Sequence, residues 1–158
     1  MLTGMAHTAL CVGDVEEATR WYAEVLGFTV LSPPYLMEGP AIERDMGELI
    51  PSPRLKAAIV GLPGDGDRVI EIIEYPGSTG RPRAAGASLV DHGLTHVGVV
   101  CDDIEATRSE LEARGVRFLT SGIASVAGLR TTWLADPWDN VVILLEKSLG
   151  ARPYFAQY

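Results

Sequence analysis

The sequence predicts an α+β fold: two paired βαβββ modules forming an open, curved mixed sheet around a cavity. Three observations carry that prediction. A strand–cap–helix–glycine segment occurs twice, as AHTALCVGDVEEATRWYAEVLGF from Ala6 and as THVGVVCDDIEATRSELEARGVRF from Thr95. Each copy is followed by further β-type segments. The last of these also repeats, as VIEIIEY at 69–75 and VVILLEK at 141–147. Internal self-similarity on this scale marks a duplicated supersecondary unit.

In the alignment of the copies, His7 meets His96, Asp14 meets Asp103 and Val15 meets Ile104. One residue of slippage then brings Glu-Ala-Thr-Arg at 17–20 onto Glu-Ala-Thr-Arg at 105–108. From His7 to Val12 the residues are small or β-favouring, as in a buried strand. Asp14 is a good N-cap, and Glu17 completes a capping-box spacing. Val15, Ala18, Tyr22, Val25 and Leu26 recur at helical spacing. Gly27 suits the left-handed turn that ends a helix. In the second copy Asp102 and Glu105 are read as the box. Ile104, Thr107 and Leu111 share a face, and Gly115 ends the helix.

Further strands are expected at Phe28 to Leu31, Leu55 to Leu62, Arg68 to Tyr75, Arg117 to Leu119, Leu129 to Ala135 and Val141 to Lys147. The turns LPGDGD at 62–67 and DPWDN at 136–140 separate the last two strands of each copy. The Pro- and Gly-rich segment 32–54 reads as an insertion with a helical turn around Ile42 to Leu49. The reading is one domain over 1–158: module one 3–76, linker 77–92, module two 93–148 and tail 149–158. A lone βαβββ unit leaves one sheet face bare, and pairing two units can enclose a small-molecule cavity.

Composition limits the function. The chain has 158 residues, 47% of them hydrophobic and 22% charged, enough for a packed core. A net charge of −8 argues against nucleic acid and against an anionic membrane surface as partners. No apolar run approaches the roughly 18–20 residues of a membrane-spanning helix. Two cysteines, Cys11 and Cys101, and the lack of a secretory pattern predict a cytoplasmic protein without disulfides. Among common catalytic signatures there is no G-x-S-x-G, P-loop or G-x-G-x-x-G.

The candidate chemistry lies on the first and last strands of each copy. Strand alternation puts Glu71 and Glu74 on opposite faces. Glu71 shares its face with Ile73 and Tyr75, an apolar setting in which a carboxylate needs a proton, a cation or a metal. His7 and His96 hold equivalent positions that a two-fold pseudo-symmetry brings together. Two imidazoles and a carboxylate suit Zn, Ni, Mn, Co or Fe(II) and leave coordination positions open for substrate. Glu74 and Glu146 read as solvent-face charges, Cys11 as lying on the strand face of His7, and His92 as a solvated linker residue. Trp133 and Trp138 read as core, pocket wall or interface.

The motifs HTALCVGDVEEATRWYAEVLGF, VIEIIEYPG, LTHVGVVCDDIEATRSELEARGV and DPWDNVVILLE together resemble the vicinal oxygen chelate (glyoxalase/bleomycin resistance protein/extradiol dioxygenase) superfamily, over about Met5 to Lys147. The resemblance implies metal ligands at His7, Glu71, His96 and the position of Ile143, where family enzymes usually carry Glu. The chain departs from the pattern there. It implies a metal-dependent lyase, isomerase or dioxygenase acting on a small oxygenated substrate; Glu71, on leaving the metal transiently, is then the candidate catalytic base. The alternative of the same fold is a metal-free small-molecule-binding protein, such as a drug-sequestering resistance protein. A homodimer is expected in either case.

Overall fold

The computed structural model describes residues 6–64, 68–78, 80–81, 89–90, 93–126, 128–149 and 152–153. The chain divides into two compact units, Met1–Gly80 and Arg81–Tyr158. The linker residue His92, the tip of the LPGDGD turn at 65–67 and most of the C-terminal tail lie outside the described residues.

The first unit runs β1 (His7–Cys11), α1 (Val15–Glu24), β2 (Thr29–Met37), α2 (Pro40–Met46), β3 (Leu55–Gly61) and β4 (Val69–Glu74). Its sheet has the order β1-β4-β3-β2, with β1 parallel to β4 and the other pairs antiparallel. The second unit runs β5 (Val97–Cys101), α3 (Ile104–Ala113), β6 (Arg117–Phe118), β7 (Ala124–Val126), β8 (Leu129–Ala135) and β9 (Val141–Lys147). Its order is β5-β9-β8-β6, with β5 parallel to β9 and β7 also paired to β8. The protein is thus α+β with two open mixed sheets. No described helix is long and apolar enough to cross a membrane.

Each helix packs one stripe on one face of its own sheet. Val15, Ala18, Thr19 and Tyr22 of α1 are buried against Leu10, Ala58, Val60, Ile70 and Ile72 of the sheet. A fully buried Val15 contributes about 1.5–3 kcal/mol relative to leaving it in water. The Tyr22 ring meets Phe28 edge-on at 5.7 Å, anchoring the helix exit. In α3 the buried stripe is Ile104 and Leu111, facing Thr132, Leu134, Val142 and Leu144. Gly27 and Gly115 end the two helices with φ of 76° and 82°, a conformation that costs a side chain about 1 kcal/mol or more.

The structure corrects several expectations. The repeat needs no slippage: Asp14 Oδ1 accepts from Glu17 N, and Asp103 Oδ1 from Ala106 N, so the caps are strict equivalents. The second N-cap is therefore Asp103 rather than Asp102. The shared Glu-Ala-Thr-Arg strings are one residue out of structural phase, and Arg108 occupies the place of Thr19. The segment after Leu31 is not wholly an insertion. β2 continues through Pro33 and Pro34 to Met37, with register shifts between Val30 and Ser32 and between Ser32 and Tyr35. Edge strands tolerate proline because one side of the ladder needs no donor. The helical turn becomes α2, which starts earlier, with Pro40 at its first position.

Candidate functional site

On the first sheet, α1 covers the face that carries Leu10, Ile70, Ile72 and Glu74. The opposite face carries His7, Ala9 and Cys11 from β1, and Val69, Glu71 and Ile73 from β4. Parallel register places Ala9 against Glu71 and His7 against Val69. The His7 ring then lies next to the Glu71 carboxylate, Nε2 to Oε2 at 3.3 Å. The His7 side chain is 51% exposed and that of Glu71 20%. Ile59 is the cross-strand neighbour of Glu71 on β3, so the carboxylate is flanked by apolar groups.

The pair fits a shared cation. Two donor atoms that each lie about 2.1 Å from one ion are separated by roughly 3.0–3.4 Å, between octahedral and tetrahedral angles. The 3.3 Å found here matches that separation and is long for a direct N–H···O hydrogen bond. Cys11 is exposed on the same face and is a free thiol, pushed above its ordinary value by partial burial.

The second sheet repeats the register. Gly98 lies against Ile143 as Ala9 lies against Glu71, so Ile143 is the structural counterpart of Glu71. His96, just before β5, is exposed, and its Nδ1 is 2.8 Å from Thr95 Oγ1. That leaves Nε2 to face a ligand. A bond to the second ring nitrogen is what orients ligating histidines generally. The ring also meets Trp133 edge-on, at 4.9 Å and 75°. Trp133 is the cross-strand partner of Ile143. The second unit thus offers an imidazole beside an indole and an isoleucine, where the first offers an imidazole beside a carboxylate. The structure brings His7 and Glu71 together; His96 belongs to the other unit.

Glu74 and Glu146 are not solvent-face charges. Glu74 Oε2 accepts from Val15 N at 3.1 Å, and Glu146 Oε2 from Ile104 N at 2.7 Å. Each ties the last strand of its sheet to the first turn of its helix. With Asp14 and Glu16, and with Asp103 and Glu105, they form the acidic clusters of three found among the described residues. Both clusters are held by cations from the strand beside the last one, β3 in the first unit and β8 in the second. Lys56 pairs with Glu16, while Arg130 pairs with Glu105 and Glu146. The Arg130 hydrogen bond pulls the Glu105 carboxyl below its ordinary range. These clusters are repeated clasps between helix and sheet.

Arg108, missed as a structural residue, fills the interior behind α3. Its side chain is 13% exposed, with its guanidinium 4.2 Å over the Phe118 ring. It donates to Thr132 Oγ1, to Thr120 O at 3.0 Å and to Gly122 O at 3.3 Å. The sequence signal was its frame: the position of buried Thr19 in the first copy.

Comparison with known proteins agrees with this architecture. The sequence profile of the Glyoxalase/Bleomycin resistance protein/Dioxygenase superfamily matches residues 4–144. A glyoxalase family protein from Bacillus cereus superposes with a TM-score of 0.79 at 19% identity, covering 93% of this chain and 95% of its own. The trypanothione-dependent glyoxalase I of Leishmania major gives 0.64 at 19% identity, over 94% of this chain and 89% of its own. TnmS3, an antibiotic-binding protein from a Streptomyces species, gives 0.61 at 20% identity, over 93% and 98%. At such identities the likeness is one of fold, which hosts several chemistries.

Proposed function

Because the chain belongs to the Glyoxalase/Bleomycin resistance protein/Dioxygenase superfamily, we propose that it is a metal-dependent enzyme acting on a small oxygenated substrate, in the lyase, isomerase or dioxygenase class. The observation that carries this reading is the His7–Glu71 pair, set at the spacing of two ligands to one cation. His7, Glu71 and His96 would hold the ion, one of Zn, Ni, Mn, Co or Fe(II). When bound, it supplies Lewis acidity toward adjacent substrate oxygens.

The chain's own groups do the rest. Glu71 is the base: an oxygen of its carboxylate accepts the proton removed from the substrate. Ile59 and Ile73 beside it limit water and keep the proton where it can be returned. Thr95 orients His96, and His7 keeps its Nε2 toward Glu71. The ligand classes are small molecules, with no nucleic acid or membrane partner. The two free thiols suit a reducing, cytoplasmic setting. A homodimer is part of the proposal, supported by the edge strand β2, which shows Leu31, Tyr35 and Leu36 to solvent. Light scattering giving the mass of one chain would remove that part.

Elemental mass spectrometry of the purified protein tests the metal reading. Near-stoichiometric metal, lost in a His7→Ala/His96→Ala variant, is the expected result. A parent that takes up no metal after reconstitution refutes it. A second reading is favoured by one feature, the Trp133–Ile143–His96 group, which offers apolar contact where a further carboxylate ligand would stand. On that reading the protein binds a small molecule without a metal, and chelators leave its ligand affinity unchanged.

A further inference from the structure

The face of the first sheet that bears His7 and Glu71 holds another polar group without an assigned task. Tyr75 directly follows β4, and alternation from Glu71 and Ile73 puts it on the same face. It is half-buried, and its hydroxyl makes no hydrogen bond among the described residues. Burial first, then the nearby Cys11 and Glu71, push that hydroxyl above its ordinary value, so it is a donor at neutral pH. Four residues at about 3.3 Å each set the Glu71 and Tyr75 Cα atoms about 13 Å apart. The ground between is apolar: Ile73, with Cys11 beside it on β1 and Ala57 beside it on β3. The β1, β3 and β4 residues of this face include no Lys or Arg; Lys56 sits on the helix side with Glu16. A second carboxylate would therefore find no counter-charge here.

We propose that Tyr75 is a specificity residue whose hydroxyl donates to a neutral oxygen at the far end of the substrate, with the substrate's chelating oxygens at the His7–Glu71 end and an apolar midsection between. This deepens, and rests on, the function proposed above. The substrate class is accordingly a 2-oxo or 2-hydroxy compound carrying a distal carbonyl, ether or hydroxyl.

The test compares two probes of equal length, 2,7-dioxooctanoate and 2-oxooctanoate, titrated against Co(II)-loaded wild-type protein and Tyr75→Phe. The wild type should bind the distal ketone about three- to tenfold more tightly, the range of one neutral hydrogen bond. Tyr75→Phe should erase that preference while leaving 2-oxooctanoate affinity and Co(II) uptake unchanged. A preference that survives in Tyr75→Phe, or none in the wild type, overturns the assignment. A wild type that takes up no Co(II) overturns the metal reading instead. The same two titrations on metal-free protein then decide the role of Tyr75 by themselves.

Discussion

Replacing Glu146 should cost more stability than replacing Glu74, although the two hold the same position in the two units. Both carboxylates accept the first backbone N–H of a helix, one of four that the helix itself leaves unpaired. The bond is 2.7 Å from Ile104 N to Glu146 and 3.1 Å from Val15 N to Glu74. A hydrogen bond to a charged group contributes about 1.5–3 kcal/mol, and the helix dipole adds about 0.3–1 kcal/mol. Glu146 has a further partner in Arg130, at 3.2 and 3.3 Å, whereas Lys56 in the first unit turns to Glu16. Arg130 keeps its guanidinium at the solvent edge, where screening leaves such a pair a small contribution. Each replacement should therefore lose about 2–4 kcal/mol, Glu146→Ala toward the upper end and Glu74→Ala, with its longer bond, toward the lower. Urea unfolding followed by far-UV circular dichroism measures both. Losses below about 0.5 kcal/mol in each would return the carboxylates to the role of solvated surface charges and refute the clasp.

Arg108→Ala should destabilise by about 2–4 kcal/mol, since it removes three backbone and hydroxyl partners and the stack on Phe118; a urea midpoint matching wild type would count against it. Because Arg130 holds the Glu105 carboxyl low, its contribution is complete above the unfolded-state value of about 4.3 and fades as pH falls through the lower folded value. Wild type and Glu105→Gln should differ by a constant amount above about pH 5 and converge in acid; a gap that widens in acid reverses the sign. Ile143→Glu should tighten Co(II) binding by roughly an order of magnitude, the scale of a ligand-supporting contact, because Gly98–Ile143 copies the register of Ala9–Glu71. Equilibrium dialysis showing unchanged affinity would exclude position 143 from the site.

The parts of the fold legible in sequence were those governed by local rules. A capping aspartate, an apolar helical stripe and a left-handed glycine each leave a mark within a few residues, and they occur twice. The misses share a different cause. β2 hides behind Pro33–Pro34 because tolerance of proline depends on being an edge strand, a fact of sheet order rather than of composition. β7 has three residues and, among the described residues, pairs with β8. Glu74 and Glu146 looked solvated because their partners lie 59 and 42 residues away. At the site, strand alternation sufficed to put Glu71 and Glu74 on opposite faces and Cys11 with His7; that Glu71 shares the face of His7 required the parallel register of β1 on β4. Alternation could not foresee the Trp133 contact with His96, which requires the register of β8 on β9.

What the two units share and what they do not separates structure from chemistry. The N-cap aspartates, the strand carboxylates on the helix starts and the cations across from them appear in both, on the helix-covered side of each sheet. On the opposite face the copies diverge at equivalent positions: Glu71 against Ile143, and Ile59 against Trp133. The histidines are the residues of metal-ligating type common to both faces. A duplicated frame whose uncovered faces carry different groups can assign different tasks to them. The first sheet carries an imidazole beside a carboxylate. The second carries an imidazole beside an indole and an isoleucine. On the proposed function, Glu71→Gln should lower kcat, because it removes the carboxylate that takes the proton, and a kcat unchanged from wild type would take Glu71 out of the chemistry.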